Sequence, residues 1–183
     1  DLHDERPLVQ SQLTIRRNPD STSPHMALTL VGEQLELLGI RLNGIALDEA
    51  AYSLSIESLT VHEVPQHQAF TLTIENRIDP KSNTALEGLY LSSGMLCTQC
   101  EAEGFRKITW FLDRPDVMSR FKTTLIADKT RYPVLLSNGN KTGQGELEDN
   151  RHWVSWEDPF AKPCYLFALV AGQLDCVADR FTT

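Results

Sequence analysis

Short segments in which apolar and polar residues alternate recur along almost the whole chain. The segment from Phe70 to Asn76 alternates strictly, as a strand with one face in the core and one in water should. Comparable segments occupy residues 8–15, 27–31, 35–42, 52–61, 89–91, 95–97, 107–111, 123–127, 134–137, 153–156 and 164–171. Many short strands separated by turn residues predict an all-β fold, namely an antiparallel sandwich or saddle-like double sheet.

Glycine and asparagine residues mark the turns between these segments. Turns are predicted at residues 43–44 and 138–139 and a hairpin at residues 92–94, where Gly follows Asn or Ser. Gly143 and Gly145 predict a further turn, because glycine is a frequent breaker of regular structure.

Two stretches depart from regular alternation. The apolar residues of segment 52–61 change phase at Ser58 and Leu59, which predicts a bulge or a tight turn between two strands. Residues 16–24 are polar and contain prolines, so we expect a loop there.

One helix start stands out. Pro115 lies between Asp113 and Asp116; proline is favoured in a first helical turn, and acidic side chains there are stabilised by the helix dipole. This pattern predicts one short helix over residues 115–120, from Pro115 to Arg120.

Length and charge narrow the classes of protein. With 183 residues the chain suits a single domain over 1–183. Its formal net charge of -8 would repel a phosphate backbone, which argues against nucleic acid as a partner. No apolar run is long enough to cross a membrane. The chain begins without Met or a signal-peptide pattern and ends abruptly, so we expect a piece of a longer protein.

The four cysteines favour free thiols. Cys97 and Cys100 have the spacing of half a zinc knuckle or of a redox pair, but Cys164 and Cys176 do not form a second close pair. Acidic residues follow Cys100, and their charge would raise a thiol pKa rather than lower it. We therefore expect free cysteines in a reducing compartment, which favours a cytoplasmic protein, while a zinc or redox site at the first pair stays open.

Residue strings carry more information than the alternation does. In order along the chain they are Asn-Thr-Ala-Leu-Glu-Gly-Leu-Tyr (83–90), Cys-Thr-Gln-Cys-Glu-Ala-Glu-Gly-Phe-Arg (97–106), Leu-Asp-Arg-Pro-Asp-Val (112–117), Tyr-Pro-Val-Leu-Leu-Ser-Asn-Gly-Asn (132–140), Trp-Glu-Asp-Pro-Phe (156–160) and Lys-Pro-Cys-Tyr-Leu-Phe-Ala (162–168). Together they resemble the N-terminal domain of bacterial zinc aminopeptidases of the aminopeptidase N type, which are gluzincin metallopeptidases.

This resemblance implies a specific role for two side chains. In that family a Thr-Gln-x-Glu string reaches across to the catalytic domain, where its Glu binds the substrate's α-ammonium group and its Gln lines the first side-chain pocket. The matching residues here are Glu101 and Gln99. The resemblance implies a parent enzyme that uses zinc to remove N-terminal amino acids from peptides, with this domain docked on the catalytic domain.

Physical chemistry is compatible with that assignment. An exopeptidase must measure the distance from the charged N-terminus to the first peptide bond, and a charge-assisted hydrogen bond to a fixed carboxylate contributes about 1.5–3 kcal/mol. We expect Gln99 and Glu101 to lie on one strand, where positions 99 and 101 point to the same face and both side chains can line one pocket. On pattern alone, Glu101 would be read as a solvated surface charge.

Arg106, Asp113 and Arg114 are expected to form a structural ion-pair network.

The chain lacks the parts that perform hydrolysis. It has no His-Glu-x-x-His string, and its five histidines include no pair spaced four residues apart. We therefore expect no catalytic residue, no metal ligand and no activity in this chain alone.

The alternative function is a non-catalytic β-sandwich interaction module or a catalytically dead relative. A domain that docks on a neighbour should carry an apolar or aromatic patch, expected next to the Gln99–Glu101 strand.

Overall fold

The computed structural model describes residues 1–2, 6–21 and 27–182. The described residues form fourteen strands: β1 Leu8–Ile15, β2 Leu28–Val31, β3 Glu36–Leu42, β4 Ile45–Ala46, β5 Tyr52–Leu54, β6 Ser58–Val61, β7 Phe70–Arg77, β8 Gly88–Ser92, β9 Met95–Gln99, β10 Lys122–Asp128, β11 Val134–Ser137, β12 Asn140–Leu147, β13 Arg151–Glu157 and β14 Leu169–Gly172. Three single-turn 3₁₀ helices accompany them: η1 Glu49–Ala51, η2 Phe105–Lys107 and η3 Cys164–Leu166.

These strands form four sheets, in which every ladder is antiparallel. The orders are β1-β7-β3-β4 and β2-β6-β5 in the first half of the chain, and β10-β13-β12 and β11-β14-β9-β8 in the second. The prediction of an all-β antiparallel fold is confirmed. The predicted loop is irregular over residues 16–21, and residues 22–24 of it lie outside the described part of the chain.

Two hydrophobic cores hold the sheets together. Leu30, Leu59 and Leu72 belong to the first core, between the two sheets of the first half, and all three are completely buried. The second core is larger and lies between the two sheets of the second half, with Leu96 and Ala171 among its members. Burying a leucine side chain stabilises the fold by about 1.5–3 kcal/mol, so each pair of sheets has its own source of stability.

The segment after η2 contributes to both cores. Ile108 and Phe111 are buried in the second core, whereas Trp110 is buried in the first. A strand was predicted over 107–111, and that prediction is wrong: Lys107 ends η2, and only Phe111 pairs, as an isolated bridge to Val31. The segment runs between the two cores, and its apolar side chains pack into both of them instead of lying on one face of a strand.

The predicted helix over residues 115–120 does not form, and a turn stands in its place. The carboxylate of Asp113 does not cap a helix, because it is buried and bonded to Arg106. Farther along, Ser119 makes an isolated bridge with Lys162, with both backbone N–H···O distances at 2.9 Å. Lys162 thus satisfies the two Ser119 backbone groups that a helix would have satisfied internally.

Gly143 and Gly145 do not form the predicted turn. Both lie inside β12, a strand that the alternation pattern missed. A Cβ built on Gly145 would lie 2.6 Å from Nε1 of Trp153 on the paired strand, and one on Gly143 would lie 3.0 Å from the same ring. The glycines make room for an indole that crosses the strand, a use of glycine that sequence alone does not separate from a turn.

Three predicted connections are confirmed. Asn43 and Gly44, with φ of 50° and 82°, join β3 to β4, and Ser93 and Gly94, with φ of 49° and 84°, join β8 to β9. The phase change at Ser58 corresponds to a tight turn between β5 and β6, which pair with each other. Of the strand predicted over 164–171, residues 164–166 form η3 and residues 169–171 lie in β14.

Candidate functional site

Gln99 and Glu101 lie where β9 ends and a loop begins. Gln99 is the last residue of β9 and pairs with Gly88 of β8, while Glu101 is the first residue of a turn that leads to Gly104 and η2. The expectation that one strand carries both side chains is wrong, because strand geometry stops at Gln99. The two residues remain linked, since the Gln99 side-chain amide donates a 3.1 Å hydrogen bond to the Glu101 carbonyl.

The loop that carries Glu101 is closed on itself. The backbone N–H of Gly104 donates to the carbonyl of Cys100 at 2.9 Å. The Glu101–Ala102 peptide bond within this loop is cis. Glu101 is exposed, and within the described residues its carboxylate makes no hydrogen bond or salt bridge. It is therefore available to a group from outside this chain.

A buried carboxylate lies beneath the same loop. Asp113 accepts a 2.8 Å hydrogen bond from Nε of Arg106 and a 3.2 Å bond from the Arg106 backbone N–H. The Cys164 thiol donates to the other oxygen of Asp113 at 3.0 Å. Arg106 also lies 3.2 Å from Glu103. The predicted ion-pair network thus forms between Arg106 and Asp113, whereas Arg114 pairs with exposed Asp116 instead.

The two thiols beside Asp113 stay protonated at neutral pH. Burial, followed by the charge of Asp113, raises the pKa of Cys100 to about 12. Burial raises the pKa of Cys164 as well, and its hydrogen bond to Asp113 acts in the same direction. Because the thiolate is the nucleophile and the metal ligand, this environment opposes a redox or zinc role for Cys100. All four cysteines are free of disulfides.

Residues 1–2, 6–21 and 27–182 contain no group of three His, Cys, Asp or Glu side chains that could hold a metal ion. The side chains of this part of the chain therefore do not fit a catalytic zinc, and we derive no metal chemistry from them.

None of the described helices has the length and apolar character needed to cross a bilayer.

An apolar surface adjoins the site. Tyr90, Cys97, Val170 and Leu136 are register partners in successive strands of the β11-β14-β9-β8 sheet, so they form one row on its outer face. The first three are half-buried and Leu136 is 40% exposed. Gln99 follows Cys97 by two positions on β9 and lies on the same face. The predicted apolar and aromatic surface next to the strand is present.

The fold and this site define an all-β domain with an unpaired carboxylate at the edge of an apolar sheet face. Residues 3–166 match the family model of the peptidase M1 N-terminal domain. The chain therefore belongs to the peptidase M1 N-terminal domain family.

Curated relatives share about half of the sequence. Aminopeptidase N of Escherichia coli K12 is 52% identical over 185 residues, and aminopeptidase N of Caulobacter vibrioides is 51% identical over 183 residues. Each match covers 100% of this chain but 20% of the relative. The chain thus spans a fifth of the length of these relatives.

Solved structures share the fold. A Legionella pneumophila aminopeptidase A, crystallised with aspartic acid, superposes with a TM-score of 0.89 at 39% identity, over 92% of this chain and 20% of that one. An M1 zinc metallopeptidase from Deinococcus radiodurans superposes with a TM-score of 0.77 at 15% identity, over 92% of this chain and 38% of its own. The second likeness concerns the fold alone.

Sequence reasoning missed two residues that shape this site. Gly88 and Gly104 let the hairpin of β8 and β9 and the loop that carries Glu101 come into backbone contact, yet neither glycine lies in a pattern typical of a tight turn. No local signal could have found them, because the contact joins residues distant in the chain.

Proposed function

We propose that this chain is the N-terminal substrate-anchoring domain of a zinc-dependent aminopeptidase that removes N-terminal amino acids from peptides. The carboxylate of Glu101 binds the α-ammonium group of the peptide, and the side chain of Gln99 lines the pocket for the first residue. The observation that carries the proposal is the exposed, unpaired Glu101 carboxylate, in a domain that belongs to the M1 family.

The surroundings of Glu101 support this role. Among the neighbouring carboxylates, that of Glu103 lies 3.2 Å from Arg106 and that of Asp113 is fully engaged. Glu101 alone retains its full capacity to accept hydrogen bonds from an ammonium group. The side-chain NH2 group of Gln99 donates to the backbone carbonyl of Glu101. The side-chain carbonyl oxygen of Gln99 therefore remains able to accept a hydrogen bond from a ligand.

The rest of the machinery belongs to other parts of the proposed parent. The relatives are five times as long as this chain, and we assign the zinc ligands and the general base to the region that this chain does not cover. The chain alone would then hydrolyse nothing. The apolar row from Tyr90 to Leu136 would pack against the catalytic domain, since a docking face must lose water to contribute binding free energy. Free thiols in a reducing environment favour a cytoplasmic parent.

Replacing Glu101 in the full-length parent tests the proposal. Glu101→Gln keeps the size of the side chain and removes its charge. A lost charge-assisted hydrogen bond corresponds to roughly a 10–100-fold fall in kcat/KM for a peptide with a free N-terminus.

Glu103→Gln is the matched control, because Glu103 lies on the same loop and is 71% exposed at its side chain. We expect this variant to retain kcat/KM within about twofold. An unchanged rate for Glu101→Gln would remove this carboxylate from the site, and equal losses for both variants would show a general effect of loop charge.

A further inference from the structure

Gly104 is a glycine whose backbone does not require glycine. Its φ of -85° and ψ of -18° lie in the right-handed helical region, which alanine adopts readily. Its φ is therefore unlike that of Gly88 or Gly94, at 71° and 84°. The reason for a glycine at this position has to be space, not torsion.

The space around Gly104 is filled by backbone. A Cβ built there would lie 2.3 Å from the carbonyl oxygen of Gln99, 2.7 Å from the amide nitrogen of Gly88 and 3.1 Å from Cα of Cys100. Ordinary contact begins at 3.4 Å, so the nearest atom would have to move by about 1 Å. All three atoms belong to main chain, so a rotamer change cannot relieve the clash.

Gly88 takes part in the same backbone contact and lies opposite Gly104. A Cβ on Gly88 would lie 2.9 Å from the carbonyl oxygen of Gly104 and 2.8 Å from Cβ of Lys107. Gly88 is the register partner of Gln99. The two glycines thus let the Glu101 loop rest on the last pair of the β8–β9 hairpin with no side chain between them.

We infer that Gly104 is a positioning residue for Glu101, because its contact with the Gln99 carbonyl and the Gly88 amide fixes the distance of the loop from the hairpin. This inference rests on the proposed function of Glu101. The loop is short and closed by the bond from Gly104 to Cys100, so a shift at Gly104 is transmitted to Glu101. The two proposed ligand-binding side chains then keep a constant separation, as a ruler for the peptide N-terminus requires.

Gly104→Ala in the full-length parent is the test. A misplacement of about 1 Å in a reacting complex costs up to about 100-fold in rate, so we expect kcat/KM to fall about 10–100-fold, as for Glu101→Gln. Gly39→Ala is the matched control, because a Cβ on Gly39 has nothing within 4 Å, and this variant should keep the wild-type rate.

A double-mutant cycle separates positioning from general damage to the fold. If Gly104 acts through the Glu101 carboxylate, Glu101→Gln combined with Gly104→Ala should be no slower than Glu101→Gln alone. Binding of L-leucine should weaken in both single variants, while binding of 4-methylpentanoate, which lacks the amine, should stay unchanged. Losses that multiply in the double variant would overturn the inference.

The outcomes of the inference and of the proposed function are distinguishable. A Gly104→Ala variant with the wild-type rate, beside a slow Glu101→Gln, overturns the role of Gly104 and leaves that of Glu101 intact. A Glu101→Gln variant with the wild-type rate overturns both. If Gly104→Ala does not fold, Gly88→Ala displaces the same two backbones, with Gly94→Ala as its control, since Gly94 also has positive φ but nothing within 4 Å.

Discussion

Two carboxylates on neighbouring segments have opposite environments. Asp113 is 3% exposed at its side chain and accepts hydrogen bonds from Arg106 and Cys164. Glu101 is exposed and accepts none within the described residues. A buried charge is stable only if its partners replace the water that it has lost. An exposed charge is solvated by water, which a ligand can replace. The comparison therefore gives Asp113 a role in stability and supports the binding role proposed for Glu101.

Removing the buried carboxylate should have the largest effect on stability. Asp113→Ala leaves the Arg106 guanidinium, 14% exposed at its side chain, without its main partner, and breaking such a pair costs about 3–5 kcal/mol. Urea denaturation of this chain would measure the loss. Glu101→Ala serves as the control and should leave the midpoint unchanged. Equal midpoints for Asp113→Ala and wild type would break the comparison.

Removing one donor to the same carboxylate should have a smaller effect. Cys164→Ala deletes the thiol that donates to Asp113 at 3.0 Å, and hydrogen bonds to charged groups contribute about 1.5–3 kcal/mol. We expect a loss in that range by the same urea measurement. Cys176→Ala is the control, since Cys176 is exposed. If the two variants were equally stable, the Cys164 thiol would contribute neither its hydrogen bond nor its packing to stability.

The smallest effect concerns mildly alkaline pH, between 8 and 10. The pKa of Cys100 rises from an ordinary 9.0 to about 12 on folding, so the folded chain holds a proton that the unfolded chain releases. The stabilisation is therefore complete below pH 9 and is lost as pH rises from 9 towards 12, at up to about 1.4 kcal/mol per pH unit. Urea midpoints at pH 8, 9 and 10 should fall less steeply for Cys100→Ala than for wild type.

The strands were predictable because their signal is local. Alternation along Phe70 to Asn76 follows from one wet and one buried face, and β7 forms there. The predictions over 107–111 and 115–120 were wrong, because Trp110 and Phe111 enter different cores and Asp113 binds Arg106. In the second segment Ser119 also bridges Lys162, 43 residues farther along. In both segments tertiary contacts overrode the local preference.

The site shows the same division. The string around Gln99 and Glu101 drew attention to both residues, but it implied a continuous strand where the structure has a strand end and a closed loop. Glycine illustrates the difficulty further. Gly94 serves a turn and could be predicted from its sequence context, whereas Gly145 and Gly104 serve contacts with Trp153 and the Gln99 carbonyl.

By itself the sequence determined the all-β class, the position of most strands, and the two residues proposed to hold the peptide, because alternation and residue strings are properties of neighbouring positions. Only the tertiary structure decided which of the nearby carboxylates is buried and paired and which is free. It also decided that two glycines bring the hairpin and the loop together. Burial, hydrogen bonding and close backbone approach depend on atoms from distant segments, and their positions exist only once the chain has folded.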